Sequence, residues 1–155
     1  MEYHCEIKDL PEQPILSIRT HSSMISLSKA LGKAFEKLED RLKELGEEPS
    51  GAPFVAYYNM NMLNLDIEIG FPVKRPLEGN AETKAGIQPA GKYAMTMHQG
   101  PYNKVRLAYN ALTKKVKDEG YQATGVAYEN YLNDPMNTKA SDLLTQVVFP
   151  LKPKG

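Results

Sequence analysis

Tryptophan is absent from the 155 residues, cysteine occurs once, and neither sign of charge prevails. Each absence excludes something. A lone Cys5 cannot found an internal disulfide framework. Nineteen basic against nineteen acidic residues give zero formal charge, so the chain offers neither a basic face for nucleic acid nor an acidic imitation of DNA. No apolar run approaches the roughly 18 residues of a spanning helix. The start Met1-Glu2-Tyr3-His4-Cys5-Glu6 lacks the basic-then-apolar order of a signal peptide, so the expected location is the cytoplasm, with no membrane contact. Glycine-rich phosphate loops, a nucleophile elbow and zinc-protease motifs are missing, and no two histidines stand at metal-ligand spacing. Neither a metal nor a cofactor is expected.

What is present is an ordinary globular composition, 41% hydrophobic and 25% charged, in a chain long enough for one domain with a real core. One stretch occurs twice. Asp66-Ile67-Glu68-Ile69-Gly70-Phe71-Pro72-Val73 returns as Leu144-Thr145-Gln146-Val147-Val148-Phe149-Pro150-Leu151, and each copy runs into a basic, proline-broken tail, Lys74-Arg75-Pro76 and Lys152-Pro153-Lys154. Phe71 and Phe149 lie 78 positions apart. Upstream, at somewhat shorter offsets, His21 answers to His98. Helix residues Leu31, Phe35, Leu38, Leu42 and Gly46 answer to Val105, Tyr109, Leu112, Val116 and Gly120, and Val55-Ala56-Tyr57 to Val126-Ala127-Tyr128. Two copies are too few for a solenoid, so the expectation is one pseudo-symmetric domain over 1–155, with repeat one about 1–78 and repeat two about 79–155.

Taken in order, Tyr3 to Lys8 reads as a short strand, and Ile15 to Thr20 alternates as a second. Ser22 or Ser23 is a candidate N-cap for a helix whose apolar stripe, Leu27, Leu31, Phe35, Leu38, Leu42 and Leu45, ends at Gly46. Phe54 to Met60 and the Glu68 stretch form a hairpin, and Pro76 to Gly91 reads as a connector. The second copy repeats the pattern: a strand over Lys92 to His98, a helix opened by Pro101 and closed by Gly120, then strands over Gly125 to Tyr131 and Leu143 to Leu151. The fold class is α+β, built from duplicated β-α-β-β units, because two helices over one face of an antiparallel sheet bury both apolar stripes.

Certain runs in this order carry a resemblance: Ile7-Lys8-Asp9-Leu10-Pro11, then Pro89-Ala90-Gly91-Lys92-Tyr93-Ala94 continuing to His98-Gln99-Gly100-Pro101-Tyr102, then Tyr131-Leu132-Asn133-Asp134-Pro135 before the closing strand. With them the chain resembles the GyrI-like small-molecule-binding family, which is also the effector-binding domain of bacterial multidrug-responsive transcription regulators. The resemblance implies a curved, barrel-like antiparallel sheet with two main helices and a ligand groove between the repeats. It also implies a bulky aromatic cation held by aromatic rings and a buried glutamate. Many relatives carry that glutamate where this chain has Gln146.

Against that background the candidate ligand-binding residues are Glu68, Gly70, Gln146, Tyr57, Tyr128 and Tyr102. Period-two alternation puts Glu68 across the sheet from the core, and Gly70 on the same face leaves space beside it. A carboxylate buried there either takes up a proton or waits for a cation. Gln146 keeps the shape of a glutamate without its charge, which favours a neutral or singly charged ligand. Tyr57 and Tyr128 are read as symmetry mates, Tyr102 as a residue beside the groove, and Tyr109 as packing alone. Tyrosines suit such a site because the ring stacks, attracts cations and still presents a hydroxyl. His21 and His98 read as structural turn residues, and haem is not expected.

The leading expectation is a stand-alone domain that captures a hydrophobic or cationic small molecule, for sequestration or for sensing linked to transcription. It would bind no nucleic acid itself and would act through a separate regulator chain. Two alternatives come with the resemblance: a hydrolase of cyclopropane-containing toxins with Glu68 as acid or base, and an interaction with DNA gyrase.

Overall fold

The structure, a computed structural model, describes residues 3–153. Met1, Glu2, Lys154 and Gly155, which include the start and the last basic residue of the second tail read above, lie outside the described residues. The class is α+β, with eight strands and two main helices among the described residues, and the strand pairings within each unit are antiparallel.

Two compact units divide the chain, one made of residues 12–89 and the other of 1–11 with 90–155. The first contains β2 (Gln13–Ser22), α1 (Leu27–Leu45), β3 (Phe54–Tyr57), β4 (Leu65–Pro72) and β5 (Lys84–Gln88), paired in the order β3-β4-β2-β5. The second contains β1 (Cys5–Leu10), β6 (Gly91–Gln99), α2 (Arg106–Asp118), β7 (Ala127–Tyr131) and β8 (Leu144–Pro150), paired in the order β1-β6-β8-β7. In each unit the outer strand comes from a distant stretch: β1 zips onto β6 and β5 onto β2. The expected connector therefore contains a strand, β5, whose mixed sequence Lys84-Ala85-Gly86-Ile87-Gln88 reflects the largely exposed edge it occupies.

The helices follow their periodic stripes. Leu27, Ala34, Leu38 and Leu42 of α1 are buried, and Ala108, Leu112 and Val116 of α2. Gly46 ends α1 at φ 67 with Glu47 N–H donating to Leu42 O at 2.9 Å, and Gly120, at φ 78, stands between α2 and the Tyr121 N–H that donates to Val116 O at 3.0 Å. Both starts are later than expected. Ser23 Oγ caps only a turn, accepting from Ser26 N–H at 3.2 Å, and α1 begins at Leu27; Pro101 opens a 3-10 turn over Tyr102–Lys104 before α2 begins at Arg106.

Each sheet buries one face under its helix. Leu16, Val55, Ile67 and Ile69 are fully buried in the first unit, and Ala94 and Val147 in the second, each large aliphatic side chain contributing about 1.5–3 kcal/mol by its removal from water. An aromatic pair joins helix to sheet in both: Phe35 meets Phe71 at 5.5 Å between ring centroids and Tyr109 meets Phe149 at 5.6 Å.

The ladders correct two of the sequence correspondences. Ile67 lies opposite Thr20 and Tyr57, whereas Thr145, 78 positions on, lies opposite His98 and Tyr131. At that offset Tyr57 and Tyr131 hold like places in their ladders, and so do Thr20 and His98. The Tyr57–Tyr128 match is out by three residues, an odd number, so it joins side chains on opposite faces of a sheet.

Candidate functional site

Glu129 lies on the helix-covered face of β7, opposite Val147 of the core, and is 2% exposed. Three tyrosines donate to its carboxylate. Tyr102 from the 3-10 turn reaches Oε1 at 2.5 Å, Tyr131 from the same strand reaches Oε1 at 2.8 Å, and Tyr109 from α2 binds Oε2. The rings of Tyr102 and Tyr131 stand 6.4 Å apart, tilted by 59°. No lysine or arginine pairs with Glu129 among the described residues. Three phenols satisfy acceptor positions but bring no positive charge, so the site combines a buried carboxyl group, aromatic faces and, among the described residues, no resident cation. Tyr102 is 39% exposed, which puts one wall of this cage at the surface.

The positions follow from local structure. Tyr131 is two residues from Glu129 on one strand and therefore shares its face. Tyr109 lies on the inner side of α2, one turn before Leu112. Tyr102 is held by the turn that follows Pro101, whose carbonyl accepts from the Nε2–H of His98 at 3.0 Å. Burial raises the Tyr3 hydroxyl pKa, and that hydroxyl is hydrogen-bonded to His98 Nδ1 at 2.9 Å.

A second carboxylate cluster stands on the opposite kind of face, away from the helix, in the first unit. Glu68 accepts from Ser17 Oγ and from Tyr58 Oη, each at 2.6 Å. Arg19 lies opposite Glu68 in the ladder, forks onto Asp66 at 2.7 and 2.8 Å, and lays its guanidinium 3.6 Å from the centre of the Tyr58 ring. That Arg19 hydrogen bond is the main reason the Asp66 pKa is lowered and the Arg19 pKa raised.

The predicted residues are therefore split. Glu68 and Gly70 share a face as expected, but Gly70 leaves no space: a Cβ there would stand 2.7 Å from the Leu16 carbonyl oxygen and 2.8 Å from the Phe54 ring. The glycine admits the buried Phe54 ring, which lies across from it in the ladder. Tyr57 is 6% exposed on the helix face of the first unit. Tyr128 is 9% exposed, opposite Val148 on the face away from α2. Gln146 shares that face, where its Oε1 accepts from Asn130 Nδ2 at 3.0 Å and its amide nitrogen approaches Met95 Sδ at 3.7 Å. Only Tyr102 reaches the Glu129 cage.

Sequence reasoning missed Glu129 and Tyr131 and set Tyr109 aside. The signal was there: in Glu129-Asn130-Tyr131 a carboxylate and a phenol stand two apart on a predicted strand, in line with the core residue Ala127. The faulty offset hid it by aligning the strand on its other face. A separate surface depression of about 470 Å3 lies by the C-terminal end of α2, lined by Val116, Tyr121, Gln122 and Phe149 among others; its charged group is Lys117, and no carboxylate faces it.

Comparison with known proteins agrees with this fold. The GyrI-like small molecule binding domain matches residues 3–152, and the chain belongs to that family. No curated protein sequence matches. Among solved structures, EcmrR in its complex with DNA superposes with a TM-score of 0.83 at 23% identity, covering 97% of this chain and 57% of EcmrR. The chain thus spans little more than half the length of that regulator. A hydrolase from Listeria innocua gives a TM-score of 0.70 at 15% identity over 96% of this chain and 91% of its own. SAV2435 bound to tetraphenylphosphonium gives 0.67 at 12% identity over 98% and 94%. No helix among the described residues is long and apolar enough to cross a membrane.

Proposed function

We propose that this chain is an effector-binding domain that takes a lipophilic aromatic cation onto Glu129, against the rings of Tyr102, Tyr109 and Tyr131. The observation that carries this reading is a carboxylate 2% exposed whose hydrogen-bond partners are all tyrosine hydroxyls. A cation supplies the charge the site lacks, and its apolar groups replace water against the rings. SAV2435, which shares the fold, is bound to a ligand of this class. The captured ligand is either sequestered or reported to a partner; EcmrR, of similar fold, is found in complex with DNA as a longer chain, and this chain, with zero net charge, would reach DNA only through another module.

The test is a titration with tetraphenylphosphonium of the parent and of Glu129→Gln, which removes charge and keeps shape. Micromolar binding that weakens about tenfold or more in the variant, about 1.4 kcal/mol, supports the reading. Equal binding by both removes Glu129 from the site.

A hydrolase is the second reading, favoured by phenol hydroxyls at hydrogen-bond distance from a buried carboxylate, an arrangement able to relay a proton. Glu129 takes the acid-base role in it, because Glu68 lies opposite a resident guanidinium, Arg19, whereas no lysine or arginine pairs with Glu129 among the described residues. Turnover of a strained electrophile, lost in Glu129→Gln with the fold intact, separates it from binding alone.

A further inference from the structure

The aromatic face beside Glu68 is already occupied by a cation, and the cation belongs to the chain. Arg19 lies over Tyr58 at 3.6 Å, the distance of a stacked guanidinium, and forks onto Asp66 through Nε and Nη2. The ring is held from its far end, because Tyr58 Oη donates to Glu68, which Ser17 steadies on its other oxygen. Asp66 is fixed in turn: its carbonyl accepts from Tyr58 N–H at 2.9 Å and its N–H donates to Asn59 Oδ1 at 3.0 Å. Tyr58, Asp66 and Glu68 thus form a preset receptor for one flat cation with a pair of N–H donors.

The occupant is loosely held by comparison with its receptor. The Arg19 side chain is 50% exposed and Asp66 25%, whereas Ser17 is buried. Exposed ion pairs are weak, so an arginine on a flexible stem leaves such a seat at little cost. An incoming guanidinium or amidinium reproduces the stack and the fork. A tetrahedral phosphonium has no N–H donors and cannot reproduce the fork.

We propose that Tyr58, Asp66 and Glu68 are a second ligand site, selective for planar guanidinium or amidinium compounds, in which Arg19 is the chain's own competing occupant. This site is independent of the Glu129 cage. His21, exposed and opposite Asp66, and Lys84, opposite Ser17, are other basic groups that the ladders place on this face.

Phenylguanidine is the probe, followed by NMR on the Tyr58 ring and the Arg19 Nε–H, with the parent, Arg19→Ala, Arg19→Gln and Arg19→Ala/Asp66→Asn compared. Removing the competitor is expected to tighten phenylguanidine binding several-fold in Arg19→Ala, with Arg19→Gln, which keeps length without charge, showing the same direction. The gain is expected to disappear in the Asp66→Asn double variant. Repeating the titration in a Glu129→Gln background reads this site separately from the cage, so either can fail alone. Binding no tighter in Arg19→Ala and Arg19→Gln than in the parent, or a gain that survives Asp66→Asn, overturns the proposal.

Discussion

His98 and Pro101 are tied by a hydrogen bond from the imidazole Nε2–H to the proline carbonyl at 3.0 Å, and the next residue, Tyr102, is the one that reaches Glu129. The ring is 1% exposed and its other nitrogen is hydrogen-bonded to the Tyr3 hydroxyl, so both ring nitrogens are anchored. His98 is in this sense a positioning residue for the cage. His98→Leu keeps the volume but removes two hydrogen bonds, to Tyr3 and to the Pro101 carbonyl, which still accepts from Lys104 N–H at 3.1 Å, at a cost of about 1–3 kcal/mol for the two. The expected outcome is a lower denaturation midpoint together with tetraphenylphosphonium binding several-fold weaker. Tyr3→Phe removes only the outer link and should cost about 0.5–1.5 kcal/mol. Loss of stability with unchanged affinity in His98→Leu would show that the ring supports the fold without aligning Tyr102.

Tyr109 does two things at once, stacking on Phe149 and donating to Glu129. Tyr109→Phe separates them, because the ring contact stays and the donor goes. Hydrogen bonds to a charged acceptor are worth about 1.5–3 kcal/mol, so urea unfolding should register a loss near that size. Tyr109→Leu should lose the same bond and the aromatic contact besides, about 0.5–1.5 kcal/mol more. Equal stability of parent and Tyr109→Phe would mean that Glu129 gains nothing from this phenol.

The Arg19–Asp66 pair gives a pH dependence of definite sign. The hydrogen bond from Arg19 holds the Asp66 carboxyl below its unfolded value of about 3.9. A depressed carboxylate pKa contributes stability that is fully present above the unfolded value and fades as pH falls through the lower, native one. The stability gap between parent and Asp66→Asn should therefore be constant near neutrality and shrink in acid, below about pH 4. A gap that widens on acidification would contradict the pairing.

How much of this was readable beforehand depended on whether periodicity alone could decide it. Helix α1 was legible because Leu27, Leu38 and Leu42 repeat at helical spacing and Gly46 closes the stripe. Strand β4 was legible because Ile67, Ile69 and Phe71 alternate against Glu68 and Gly70. Strand β5 was not, since an exposed edge strand need not alternate at all. The Glu129 cage was lost to register: its members come from a turn, a helix and a strand, and only the pairing of Glu129 with Val147 fixes which face they share. Gly70 was misread for another reason. A glycine in a strand signals a close approach, but the sequence does not say whether a ligand or the chain's own Phe54 makes it.

That last distinction can be measured. Gly70 is not among the glycines with a positive φ, so alanine there meets no backbone penalty, and the obstacle is packing alone. An added Cβ would fall 2.7 Å from the Leu16 carbonyl oxygen and 2.8 Å from the Phe54 ring, both inside real van der Waals limits and neither on a flexible side-chain end. Gly70→Ala should destabilise by about 1–3 kcal/mol, the usual range for overpacking a filled site. Phe54→Leu alone leaves a cavity and should also destabilise, yet the two changes together should cost less than their sum, because the smaller side chain withdraws one of the clashing atoms. Gly32 supplies the contrast: it lies within α1, is exposed, and an added Cβ would meet nothing within 4 Å, so Gly32→Ala should stabilise by about 0.5–1 kcal/mol. If Gly70→Ala were as harmless as Gly32→Ala, the space beside Glu68 would be open after all, and the sequence-based reading of Gly70 as room for a ligand would stand.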